Sequence, residues 1–90
     1  PNAYPMDRQE TIKTLISQKI KSITHLEVID DGHLHKGHEG AKTGKGHFTI
    51  RITSDAFKGL SPIEQHRMIY HALGRFMHTD IHALRMDISF

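Results

Sequence analysis

The sequence predicts an α+β domain with the element order α–β–β–α–β, in which a three-stranded mixed sheet carries its helices on one face. Three observations predict this. Ile12, Leu15, Ile16, Ile20 and Ile23 recur at helical spacing. The stretch His47 to Thr53 alternates, with Phe48, Ile50 and Ile52 set against Thr49 and Arg51. Ser61-Pro62-Ile63-Glu64 is a strong helix start: serine caps, proline takes the first helical position and glutamate completes a capping box. Ninety residues, 37% of them hydrophobic, suit a single domain with one small core.

Taken in order, residues 1–6 lack the charged and apolar blocks of a signal peptide and read as a flexible lead-in to one domain over 7–90. An amphipathic helix of about four turns starts near Asp7. His25 to Asp30 follows as a short strand, with Leu26 and Val28 on one face. Asp31 to Gly46 holds five glycines in sixteen residues and is expected to be a long hairpin loop. His47 to Thr53 is the second strand, and Asp55 to Gly59 makes a turn.

From Ser61 the helix is expected to run to about His78, at about 100° per residue. Ile63, His66, Ile69, Tyr70, Leu73, Phe76 and Met77 then share an inward face, and Arg67, His71, Gly74, Arg75 and His78 lie opposite. His82 to Ile88 alternates as a third strand, with Leu84, Met86 and Ile88 inward. A strand–helix–strand connection within one sheet makes the second and third strands parallel.

Composition removes several function classes. No cysteine is present, so the chain can build neither a disulfide framework nor a thiolate ligand. No apolar run approaches the roughly 18–20 residues of a membrane span. The cytoplasm is the expected compartment. A net charge of +2 with histidines neutral does not force a nucleic-acid role. No nucleophile–base arrangement or paired carboxylates stand out, which argues against an enzyme. Gly44-Lys45 resembles a phosphate loop, but Glu39 stands at the first glycine position and Gly46 replaces Ser/Thr. Gly37-His38-Glu39-Gly40 has GxxG spacing, yet it falls in a hairpin loop.

The nine histidines carry the chemistry. Imidazole is the commonest protein metal ligand and titrates near neutrality. His33, His35 and His38 crowd the loop, where a metal site competes with a merely solvated polar segment. His47 closes the same segment, and His82 opens the third strand. The loop leaves the end of the first strand. Whether that end and the start of the third strand meet depends on strand order, which spacing leaves open. Two histidines would be incomplete for zinc, which usually takes four ligands, but would suit half of a shared site. His66 reads as a packing residue beside Tyr70. Arg67, His71 and Arg75, with the lysines of the loop, offer a phosphate-contacting surface.

Several segments then converge on one family. Val28-Ile29-Asp30-Asp31, the loop histidines, His47-Phe48, Phe57-Lys58-Gly59-Leu60-Ser61, His66-Arg67-Met68-Ile69-Tyr70 and Ile81-His82-Ala83-Leu84 together resemble the BolA family, from roughly Arg8 to Met86. The resemblance implies an αββαβ fold similar to class II KH domains, often with an extra short helix before the long one. It also implies a non-enzymatic adaptor that pairs with a monothiol glutaredoxin and its glutathione. The two proteins would share a bridging [2Fe–2S] cluster, for iron–sulfur trafficking or iron sensing.

In such a pair His82 would be one ligand. The second would come from the loop, where His35 matches best and His38 and His33 are alternates, as in a histidine-loop subgroup. Gly32 stands where the family commonly has serine, so an anchoring hydrogen bond is expected to be missing. The alternative role implied is a DNA-binding transcriptional regulator, with Lys58, Arg67, His71 and Arg75 on the nucleic acid. A zinc- or proton-sensing loop is a third reading. Alone, the chain is expected to be a monomer or weak homodimer without cofactor.

Overall fold

The computed structural model describes residues 7–32 and 44–90. The order is α1 (Arg8–Lys19), β1 (Ile23–Asp30), β2 (Gly46–Ser54), a 3-10 turn (Asp55–Phe57), α2 (Pro62–Leu73), α3 (Phe76–Thr79) and β3 (Ile81–Ser89). The sheet runs β1-β2-β3, antiparallel between β1 and β2 and parallel between β2 and β3, as the alternation and the crossover predict. Among the described residues no helix is long and apolar enough to cross a membrane.

Asp7 caps α1, accepting from the Glu10 amide at 2.8 Å, and so satisfies an amide that the first turn leaves without a helical partner. The helix buries Ile12 and Ile16 completely and ends at Ile20, whose backbone is extended. These side chains meet Phe48, Ile50 and Ile52 of β2, and Ile69, Ala72 and Leu73 of α2, in one core. Because β2 alternates, its three core residues fall on a single face. The short helix expected before the long one is the 3-10 turn. Its Phe57 is fully buried, and the Ser54 hydroxyl caps it by accepting from the Ala56 amide at 3.0 Å.

Three expectations need correction. The first helix ends at Lys19, and Ile23, counted with it by spacing, instead opens β1. The long helix does not reach His78 unbroken. It stops at Leu73, because Gly74 takes φ 56°, and a short separate helix follows. A positive φ at the C-terminal end of a helix is where glycine is favoured over any residue with a Cβ.

The buried stripe of α2 is also rotated from the predicted one. Ile69, Ala72 and Leu73 are buried, while Ile63 is 64% exposed and Tyr70 41% exposed. His66 is exposed as well. His66 and Tyr70 are therefore not the packing residues expected. Ala72 is small enough to lie close against the rest of the core, and a reading weighted to large apolar side chains passes over it.

Candidate functional site

The parallel pairing of β2 and β3 places both strand starts at one end of the sheet, so His47 and His82 arrive together. Gly46 pairs with Ile81 and His47 with Ala83, leaving His82 as the extra residue at a register shift. Such a bulge re-aims the side chain it carries. The His47 and His82 rings lie with centroids 5.0 Å apart and planes tilted by 51°. His47 is buried and His82 exposed.

Two imidazoles on one ion, with metal–nitrogen bonds of about 2.0–2.1 Å, stand with ring centroids roughly 5 Å apart. The observed pair has that ring spacing, with both His47 ring nitrogens buried. Among the described residues no group of three or more potential ligands occurs. A metal held here would take its remaining donors from elsewhere.

The backbone around the pair is pinned. The Gly46 amide donates to the Asp80 carbonyl at 2.9 Å, and the Asp31 amide to the His47 carbonyl at 2.8 Å. The Thr49 hydroxyl donates to Asp31 Oδ2 at 2.5 Å. Arg8 reaches across from α1, its Nε 3.1 Å from Asp80 Oδ2, and a second guanidinium nitrogen donates to the Gly44 carbonyl. The Thr79 hydroxyl, with Arg8, holds the Asp80 carboxyl below its ordinary range. At Gly46 a Cβ would stand 2.4 Å from Cε2 of the buried Phe48 ring, so only glycine fits beside His47.

Gly32 and Gly44 bound the loop that carries His33, His35 and His38. Those three histidines, with Lys36 and Lys42, lie outside the described residues. Both ends of the loop sit at the His47 end of the sheet: Asp31 on the His47 carbonyl and Gly44 on Arg8. In the strand order β2, with His47, stands between the end of β1, where the loop departs, and His82. Gly32 has no hydroxyl to supply a serine's bond. Its amide donates to Asp30 Oδ1 at 2.8 Å, and a Cβ there would fall 2.9 Å from that oxygen.

His82 opens onto a cavity of about 450 Å³, bordered by Lys45, Tyr70, Met77 and His78. Lys58, Arg67, His71 and Arg75 are all exposed. Lys58 pairs with Asp55 at 3.4 Å. The capping hydrogen bonds of Ser61, helped by the Arg67 charge, hold the Glu64 carboxyl below its ordinary range. His66 joins Pro62, Ile63, Arg67 and Tyr70 around a shallow groove of about 380 Å³ on the outer side of α2.

A family model described as BolA-like protein matches residues 6–89. The chain belongs to the BolA family. A putative BolA-like protein of Caenorhabditis elegans is 41% identical to this BolA chain over 63 residues, which are 70% of the chain and 56% of the worm protein. SufE-like protein 1 of Arabidopsis thaliana is 41% identical over 64 residues, 66% of the chain and 17% of that protein. The chain thus spans about half, or less, of the length of these relatives. Among solved structures, the BolA domain of SufE1 from Arabidopsis thaliana superposes with a TM-score of 0.79 at 32% identity, covering 96% of this chain and 94% of that one. BolA1 from the same plant gives 0.78 at 26% identity, with the same coverage.

His47 is the site residue that sequence reasoning left without a role. Its position on a strand was legible, but its nearness to His82 follows from the parallel register of β2 and β3.

Proposed function

We propose that this BolA-family chain is a non-enzymatic adaptor. It would pair with a monothiol glutaredoxin in the cytoplasm and co-ligate a bridging [2Fe–2S] cluster for trafficking or iron sensing. The observation that carries this reading is the His47–His82 pair, with exposed His82 at the mouth of an open cavity. Lacking cysteine, the chain can offer no thiolate, so the sulfur donors would belong to the partner and its glutathione. Two imidazoles on one iron raise a cluster's potential above that of an all-thiolate site.

His82 serves as the accessible ligand. The second is the loop histidine, His35, or else His47, whose ring lies beside that of His82. His38 and His33 are the remaining loop alternates.

Adding the chain to cluster-loaded glutaredoxin is expected to change the visible absorption and circular dichroism. His82→Ala should abolish the change, and its persistence would overturn the reading. Comparing His35→Ala with His47→Ala identifies the second ligand.

The exposure of Lys58, Arg67, His71 and Arg75 favours a second reading, as a DNA-binding regulator. It predicts duplex binding that falls steeply with salt. Binding unchanged in the double variant Arg67→Glu, Arg75→Glu would exclude it.

A further inference from the structure

β3 is an edge strand, with β2 on one side and, among the described residues, no strand on the other. A sheet edge presents backbone donors and acceptors to any chain that can match them, and proteins commonly blunt it. The β1 edge is blunted twice. Its register shifts between Ile23 and His25, and Gln9 Nε2 from α1 donates to the Val28 carbonyl at 3.0 Å. β3 pairs regularly with β2 from Ala83 to Ser89.

The outer strand is also self-complementary. Leu84-Arg85-Met86-Asp87-Ile88 reads apolar, cation, apolar, anion, apolar in either direction, centred on Met86. Leu84, Met86 and Ile88 are only partly buried against the core. Arg85 and Asp87 are exposed on the opposite face. Among the described residues Arg85 has no ionic partner, and Asp87 meets Arg51 only at 3.6 Å, with its side chain 76% exposed.

We propose that β3 pairs antiparallel with β3 of a second copy of this chain, about a two-fold axis at Met86, joining the two sheets into one. In that register Arg85 faces Asp87 of the second copy, twice by symmetry, while Leu84 faces Ile88 and Met86 faces its equivalent. A slip of two residues sets Arg85 against Arg85, or Asp87 against Asp87. A slip of one sets apolar against charged side chains. The pattern therefore selects a single register.

The same register sets Phe90 of the second copy, 62% exposed in the single chain, opposite His82. Self-pairing would cover the histidine that a cluster-bearing partner must reach. This consequence rests on the adaptor reading, whereas the pairing itself does not.

Sedimentation of the chain from micromolar to millimolar concentration is expected to show a monomer–dimer equilibrium. Arg85→Glu and Asp87→Arg should each weaken it by roughly tenfold or more, by placing like charges opposite. Mixing the two variants should restore association, because each supplies the charge the other needs. Thermal melts followed by circular dichroism establish that both variants fold. A wild-type chain monomeric at millimolar concentration overturns the proposal. So does undiminished association of the single variants, or a mixture of folded variants that stays monomeric. A failed glutaredoxin titration leaves the sedimentation result standing, and the reverse holds too.

Discussion

The imidazoles of His47 and His82 lie 5.0 Å apart between ring centroids, tilted by 51°, one buried and one exposed. Neighbouring positions with unlike burial should separate stability from function. His82→Ala, at the surface, is expected to change unfolding free energy by no more than about 0.5 kcal/mol. His47→Ala removes a buried ring and should cost about 1–3 kcal/mol. Urea unfolding of the two variants measures the difference. Equal losses would show that His82 is not the surface residue described.

Gly46 admits no side chain, because a Cβ would collide with the Phe48 ring. Phe48 is 2% exposed and has little room to retreat. Gly46→Ala is expected to destabilise the fold by about 1–3 kcal/mol, the usual cost of overpacking. A melting temperature equal to that of the parent chain would contradict the contact.

Gly74 ends α2 with φ 56°, a region that disfavours residues bearing a Cβ. Gly74→Ala should cost about 1 kcal/mol or more. The nearest atom to an added Cβ is the His71 carbonyl oxygen, at an ordinary 4.0 Å, so the cost would be conformational rather than steric. Calorimetric comparison with an alanine substitution at exposed Gln18 provides the control.

Asp80 ties α1 to the start of β3, and its carboxyl is held below the ordinary value of 3.8 by Thr79 and Arg8. A folded-state value below the unfolded one means the stabilisation is present above about pH 4 and lost as pH falls through the folded value. Arg8→Gln should lower stability at pH 7 by about 0.2–1 kcal/mol, the range of a partly exposed ion pair. Near pH 2 the parent chain and the variant should differ less than at pH 7. A difference that stays constant down to pH 2 would assign the effect to packing of the Arg8 stem instead.

Local patterns made much of the fold legible. The isoleucines of α1, the alternation of β2 and the capping box of Ser61 and Glu64 each announce an element through neighbours a few residues apart. The capping box forms as read, with the Ser61 amide donating to Glu64 Oε1 at 2.8 Å and the Glu64 amide to Ser61 Oγ at 3.2 Å. The rotation of α2 was less legible, since the side that is buried depends on what α1 and the sheet bring to cover it. Arg8 illustrates the same limit: at sequence level it was one polar residue among several on a helix surface.

By itself the sequence determined the kinds of element, their order and the absence of thiolate chemistry. Only the tertiary structure decided that His47 stands beside His82, that both ends of the histidine loop lie at that end of the sheet, and that β3 is left, among the described residues, as an edge. Helical and strand periodicities act over a few residues and can be read along the chain. Strand order and register are settled by burial of the whole core, through contacts between residues far apart in sequence.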